Sequence, residues 1–204
     1  MAKPTGSVGH FFRGVVCIEH TNNDNTRPLS YLVVTGPPGA GKSAVAQVLA
    51  RTAEHSVLIE GDAFFDFVTS GAIEPWLTES NDQNTVVTRA AACAAGAFVS
   101  GGYTTVYDGV VGPWFLPTFG AATGLDQLDY VIILPPVEVC VRRVATRRGH
   151  GFTDQAATRK MHAEFDSPSV AERHVLSDPP EDIAAVAALI ESARRAGAAT
   201  HAIR

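Results

Sequence analysis

The run Gly36-Pro37-Pro38-Gly39-Ala40-Gly41-Lys42-Ser43 has the order G-x-x-x-x-G-K-[ST], the pattern of a phosphate-binding loop. Gly39 and Gly41 tolerate backbone conformations that bulkier residues resist, so successive amides can turn inward around a phosphate. Lys42 is the ammonium for the β- and γ-phosphates of ATP, and the Ser43 hydroxyl is suited to Mg²⁺. Amides from Gly36 to Ala44 complete the cradle, because a helix start offers unpaired N–H groups and a positive dipole end. The pattern requires a strand running in and a helix running out. Tyr31-Leu32-Val33-Val34-Thr35 is short, apolar and β-branched, as a buried parallel strand should be. Ala44, Val45, Val48 and Leu49 are spaced for one apolar helix face.

Two aspartates stand where such a loop needs carboxylates. Asp62 follows the apolar strand Ser56–Glu60 and Gly61, at the carboxyl edge where open α/β sheets bind ligands. There it can take the proton of an attacking hydroxyl or hold Mg²⁺ through water; a helix N-cap is the competing role. Asp108 ends the strand Tyr103–Tyr107 and suits direct Mg²⁺ coordination, against the plainer reading of an Asp-Gly turn with Gly109. Asp66, one helical turn beyond Asp62, reads as solvated.

The third cluster is cationic. Arg142, Arg143, Arg147 and Arg148 fall within seven residues, before Gly149-His150-Gly151. That count exceeds what a helix end needs to offset its dipole, whereas planar guanidinium forks bind phosphate oxygens bidentately. Arg147 and Arg148 are the expected phosphate clamps on a lid of about residues 147–160, with Arg159 a further lid partner and His150 a turn residue. Arg89, Phe65 and Trp114 are candidates for the acceptor side, together with Trp76, Phe115 and Phe119; a solvated helix face competes for Arg89, and core packing is the plainer reading of each of Trp76, Trp114, Phe115 and Phe119.

The elements that must position these groups alternate. A helix over Ala63–Ser70 is expected to stop at Gly71, and Ser80-Asn81-Asp82-Gln83 has the form of a capping box. It opens a long helix with Val86, Val87, Ala90, Ala94, Ala97 and Phe98 on one face, ended by Gly101-Gly102. Gly112–Gly124 reads as an irregular loop or short helix, and Tyr130–Leu134 as the fourth strand. Pro135-Pro136 starts a helix with Val137, Cys140, Val141 and Val144 inward. His174-Val175-Leu176 is a short fifth strand, and Asp178-Pro179-Pro180-Glu181 caps a last helix carrying Ile183, Val186, Ala187 and Ile190, with Gly197 beyond. Thr200–Ile203 is a candidate edge strand. This alternation predicts an α/β fold, a three-layer αβα sandwich on a five-stranded, mainly parallel sheet. Residues 30–204 form one domain, and residues 1–29 are either an appended arm or an extension with little role.

Bulk properties narrow the partners. With 46% hydrophobic and 18% charged residues the chain folds as a globule, and its net charge of −5 gives no footprint for nucleic acid. Cys17, Cys93 and Cys140 are scattered, which argues for reduced thiols in a cytoplasm, with Cys93 and Cys140 in core packing. No apolar run approaches 18 residues, so no membrane partner is expected.

With these pieces placed, residues 30–196 resemble the small-molecule kinases of the phosphate-loop superfamily, with the nucleoside-monophosphate-kinase-like fold. Gluconate kinase-like proteins are similar in Glu60-Gly61-Asp62, Ser70-Gly71 with Pro75-Trp76-Leu77, Arg147-Arg148-Gly149-His150-Gly151-Phe152 and Glu172-Arg173-His174-Val175-Leu176. Chloramphenicol phosphotransferase-like proteins are similar in the phosphate loop, the Asp62 position and the Asp108 strand. The resemblance implies ATP-dependent transfer to a small hydroxylated acceptor, Asp62 beside that hydroxyl and lid arginines over ATP. The aromatic, apolar segment Val110–Gly124 departs from a site for a polyhydroxylated acid, which gives an antibiotic or other secondary metabolite weight beside a sugar acid as the acceptor. A nucleotide kinase, or a resistance or regulatory protein that binds nucleotide with little transfer, are the alternatives. Either a monomer or a homodimer is compatible with the sequence.

Overall fold

The structure, a computed structural model, describes residues 30–147 and 152–203. The readings of residues 1–29, Cys17, Arg148 and His150 lie outside the described residues.

Strand β1 (Tyr31–Thr35) is buried along its whole length, as its unbroken apolar run requires of a central parallel strand. It pairs in parallel with β3 (Thr104–Asp108) on one side and β4 (Gln127–Leu134) on the other. Outside these lie β2 (Ser56–Glu60) and β5 (Val175–Ser177), giving the order β2-β3-β1-β4-β5. A sixth strand, β6 (Thr200–Ala202), runs antiparallel on the first half of β4. Asp129 of β4 partners both Leu32 and Thr200, so β6 shares the β5 edge. The sheet is thus five parallel strands plus an edge strand at the candidate Thr200–Ile203 position, and this strand runs antiparallel.

Alternation along the strands feeds two cores, one per face. Leu32, Val34, Val131 and Ile133 pack against α1 (Lys42–Ala50), α4 (Val137–Thr146) and α6 (Ile183–Arg195). Tyr31, Val33, Tyr107 and Tyr130 pack against α2 (Asn81–Ser100), α3 (Leu116–Thr123) and Phe165 of α5 (Gln155–Phe165). This is the three-layer αβα arrangement.

Several expectations are corrected. Residues 63–70 do not form an α-helix; a 3-10 turn, Gly61–Phe64, gives way to a plain turn. The capping box does not form: the Ser80 hydroxyl turns back to the carbonyls of Pro75 and Leu77, and Gln83 bonds the backbone of Ile73. Those bonds anchor the preceding loop instead of the helix end. The buried face of α2 is Val87, Thr88, Ala91, Ala92, Ala95 and Gly96, whereas Val86 and Phe98 are exposed. Gly96 explains the rotation, since a Cβ there would stand 1.9 Å from the Thr123 carbonyl oxygen and α3 packs on bare backbone. Cys93, one position outside that stripe, is exposed, while Cys140 is buried. Helix α6 is capped by Asp182, whose carboxylate accepts from the amides of Ala184 and Ala185, and not by Asp178–Glu181. Ile183 is consequently outside the core. His174 belongs to a 3-10 turn, Glu172–His174, that delivers the chain into β5.

Two polar devices tie the edge together. Arg194 of α6 is buried and donates from Nε to Asp129 Oδ2 at 3.0 Å, while Thr200 Oγ1 donates to Asp129 Oδ1 at 3.2 Å. His174 is 3% exposed; its Nδ1 donates to the Tyr130 carbonyl (3.0 Å) and its Nε2 accepts from Arg173 Nε (3.2 Å). Desolvation first, then the charges of Arg173 and His201, push its pKa down from 6.5 to about 4. Between those values the unfolded chain takes up a proton that the folded chain refuses, so stability falls as pH drops through the window. The loss is at most about 3 kcal/mol. His174→Asn keeps an N–H donor without a proton to gain. Urea unfolding at about pH 7 and about pH 4.5 should therefore show a smaller drop in the variant than in the parent, and equal drops would refute this account.

Candidate active site

The phosphate loop follows β1 and is pressed against β4 and α4. Gly39 has φ 78°, and a Cβ on it would meet the Cys140 carbonyl oxygen at 2.4 Å, so only glycine fits between the loop and α4. Helix α1 starts at Lys42 with Gly41 as a left-handed N-cap, no side-chain cap and no acidic residue in its first turn. Its leading amides are therefore left to a ligand rather than to the chain. Within the loop, Ala40 N–H donates to Pro37 O at 3.2 Å, and Lys42 Nζ donates to the same carbonyl at 3.2 Å. Lys42, Ser43 and Ala44 are half-buried, as are Pro38 and Gly39, with Gly36, Pro37 and Ala40 forming the more enclosed lining.

Sheet register brings the acids to this loop. Asp108 pairs across to Val34 of β1 and to Glu60 of β2, so the end of β3 lies beside both the loop's entry and the turn bearing Asp62. Asp108 is 8% exposed, and its Oδ1 is buried without a hydrogen-bond partner among the described residues. Desolvation raises its pKa, opposed by the Lys42 ammonium and the Ser43 hydroxyl, with Asp62 and Glu60 adding to the rise. Lys42 answers in kind: desolvation lowers its pKa, while Asp108 and Asp62 hold the charge in place and Arg147 works against it. Asp62 itself is exposed, in the 3-10 turn that leaves β2.

Of the arginines, Arg147 is the exposed residue that ends α4, and its charge acts on Lys42. Arg143 lies one turn earlier and donates from Nη1 to Gly39 O (3.3 Å) and Ala40 O (3.4 Å), bracing the loop from outside. The sequence reading favoured Arg147 and Arg148 over it. The signal was present: Arg143 sits three residues after the inward-facing Cys140 and four before Arg147, on the helix side that meets the loop. Arg159 does not join this group. Its guanidinium is clasped bidentately by Glu138 in the first turn of α4 (2.5 and 2.9 Å), which ties α5 to α4.

The acceptor-side candidates are spread. Phe65 is half-buried after the Asp62 turn; Arg89 is exposed on α2; Trp114, 44% exposed, lies 5.3 Å from Phe165. No ring contact joins Phe65 to Trp114 among the described residues. Trp76 meets Phe152 edge-on at 4.8 Å. Phe119 is withdrawn from any such role: it is fully buried between Tyr31 and Tyr107.

A nucleotide with Mg²⁺ fits this arrangement on two observations: a glycine cradle that a single Cβ would fill, and an orphaned buried carboxylate oxygen beside an ammonium and a hydroxyl. Gly39→Ala should lower ADP affinity at least about 10²-fold while costing about 1–3 kcal/mol of stability, because backbone must move away from Cys140. Fluorescence titration with ADP and thermal melting check both; unchanged ADP affinity would show that the loop is not the nucleotide cradle.

Known proteins place the chain further. A family model described as AAA domain matches residues 32–168. No curated protein matches the chain. Among solved structures, a sugar kinase from Janibacter sp. is similar at TM-score 0.62 and 20% identity, covering 85% of this chain and 100% of that one. The tunicamycin resistance protein of Deinococcus radiodurans is similar at TM-score 0.62 and 15% identity, covering 82% and 95%. A gluconokinase from Sinorhizobium meliloti is similar at TM-score 0.59 and 20% identity, covering 83% and 94%. At these identities the likeness concerns the fold, and it agrees with the kinase resemblance read from the motifs. Among the described residues no helix is long and apolar enough to cross a membrane.

Proposed function

The chain belongs to the AAA-domain family of phosphate-loop proteins, and from that premise we propose that it is an ATP-dependent phosphotransferase acting on a hydroxyl of a small molecule. The observation that carries the reading is the gathering of Lys42, Ser43, Asp108 and Asp62 at one sheet edge, with one acid buried and the other exposed. A protein that only binds nucleotide has no use for the second acid.

In the proposed reaction the acceptor oxygen bonds to the γ-phosphorus as the β–γ bridging bond breaks, and ADP leaves. The amides of Gly39 to Ala44 hold the phosphates, and Lys42 neutralises the β- and γ-oxygens. Mg²⁺, held by the Ser43 hydroxyl and Asp108, supplies further charge neutralisation when bound. Asp62, exposed at the end of β2, accepts the acceptor's proton. Arg147 and Arg148 meet the charge that spreads over the transferring group, and Arg143 keeps the loop carbonyls turned away from it.

The acceptor we favour is an aromatic or otherwise apolar hydroxylated metabolite, such as an antibiotic, over a sugar acid. Support comes from the partly exposed aromatic candidates Trp114, Trp76 and Phe65, and from the shared fold with a tunicamycin resistance protein. The fold shared with sugar kinases keeps sugars in the comparison panel. The free thiols of Cys93 and Cys140 agree with a cytoplasmic setting.

Asp62→Asn keeps shape and removes basicity. It should retain ATP affinity and lose at least about 10²-fold in transfer, read as acceptor-stimulated ADP release over a panel of hydroxylated antibiotics, sugars, sugar acids and nucleosides. Asp108→Asn should instead shift the Mg²⁺ dependence, and Lys42→Ala should nearly abolish turnover. If no acceptor stimulates ATP use in the parent, the resistance or regulatory binding protein takes the place of the kinase.

A further inference from the structure

Away from the phosphate loop, a cavity of about 300 Å³ opens where α3, the turn before β5 and strand β6 meet, lined by Leu116, Pro117, Gly120, Arg173, His201 and Ile203. A second hollow of about 210 Å³ adjoins it through Leu116, Pro117, Arg173 and His201, and reaches inward to Tyr130 and His174. None of these residues belongs to the phosphate-loop site.

Its walls are mostly apolar, with polar groups from Arg173 and His201 and, in the second hollow, from Ser169, Tyr130 and His174. Arg173 is exposed, and no carboxylate among the described residues pairs with its guanidinium. The rings of His174 and His201 lie 5.7 Å apart, each also against Tyr130. Burial lowers the pKa of both imidazoles, so at neutral pH Arg173 is the single formal charge among the lining residues. One delocalised cation in apolar walls matches a monoanion with an apolar body. A planar carboxylate meets the guanidinium fork, and its alkyl or aromatic part lies against Leu116, Pro117 and Ile203. A phosphate dianion would leave half its charge unmatched.

The cavity is also joined to the nucleotide side by hydrogen bonds. Arg173 Nε donates to His174 Nε2, and His174 Nδ1 donates to the Tyr130 carbonyl. The Tyr130 hydroxyl donates to Val111 O at 2.5 Å, and Val111 N–H donates to Thr35 Oγ1 at 2.9 Å. Thr35 immediately precedes Gly36 of the phosphate loop, and Val111 lies three residues beyond Asp108. Each link is a directed bond between packed groups, so a ligand that repositions Arg173 biases the strand ends that hold the loop.

We propose that this cavity is a second binding site, taking a small organic monocarboxylate on Arg173, and that Tyr130 couples it to the phosphate loop. The inference stands apart from the phosphotransferase reading, because its test needs neither an acceptor nor turnover. Benzoate, hexanoate and inorganic phosphate are titrated into the full chain by calorimetry, with and without saturating ADP. At least one carboxylate should bind saturably with ADP present, and should weaken at least about 10-fold in Arg173→Gln. Ala202→Trp, at the exposed rim, should weaken it as well by filling the mouth. Thermal melting confirms that both variants are folded. Absence of saturable carboxylate binding, displacement by ADP, or unchanged affinity in both variants overturns the site, and tighter binding of phosphate overturns the monocarboxylate assignment. For the coupling, the bound carboxylate should change ADP affinity at least about twofold in the parent. Tyr130→Phe should still bind the carboxylate without that change. A parent whose ADP affinity ignores the carboxylate, or a Tyr130→Phe variant that keeps the full effect, overturns the coupling.

Discussion

The structure depends on keeping an ammonium and a carboxylate charged where desolvation disfavours both. Burial pushes Lys42 and Asp108 towards their neutral forms, and each is the leading influence that holds the other ionised. Such a pair persists only if the surroundings fix its geometry, since removing either partner leaves an uncompensated charge. The strand order meets that demand. With β3 between β1 and β2, the Asp108 carboxylate must lie beside the loop that leaves β1 and the turn that leaves β2. A different order would separate the two charges by at least one strand spacing, about 4.8 Å more.

The two faces of the sheet then serve different ends. The face bearing α1, α4 and α6 is built from aliphatic and small side chains and braces the loop, with α4 close enough to Gly39 that backbone meets backbone. The opposite face is aromatic: Tyr31, Tyr107, Phe119, Tyr130 and Phe165 fill it. Large rings leave a core whose few polar ends need partners, and the Tyr130 hydroxyl finds Val111. On this face the α2–α3 contact is held close by bare backbone at Gly96, and the loop after Asp108 is pinned to β1 by the bond from Val111 N–H to Thr35 Oγ1.

What the sequence disclosed, and what it hid, follows from how local each cause was. Strand β1, the loop and helix α1 were legible because an unbroken apolar run, three glycines and a Lys-Ser pair are all encoded within thirteen consecutive positions. Asp108 was legible as a strand end. Its burial and orphaned oxygen were not, because they depend on neighbours from β1 and β2. The face of α2 was misread because an alanine-rich helix gives little contrast, and the decisive contact is a glycine against a carbonyl from α3. Ser80 and Gln83 had the right types for a capping box but were taken by carbonyls and amides of the preceding loop, a tertiary competition that spacing does not reveal. Arg159 looked free to reach a phosphate until Glu138, twenty-one positions away, proved to be its partner.

The division of labour proposed for the two aspartates follows from burial. Asp108 lies within reach of an ammonium and a hydroxyl and is shielded from water, so its remaining oxygen suits a cation, which needs a fixed ligand and no proton traffic. A general base has opposite needs: it must meet an incoming substrate, take its proton and release it to solvent after each turnover. Of the two, it is Asp62, exposed on a turn and close enough for its charge to act on Lys42, that meets these needs. If the roles were exchanged, a proton taken by Asp108 would be trapped beside Lys42, and neutralising that carboxylate would strip the ammonium of the charge that keeps it protonated. The asymmetry in exposure therefore supports the proposed role of Asp62 as proton acceptor on physical grounds that do not depend on the identity of the acceptor molecule.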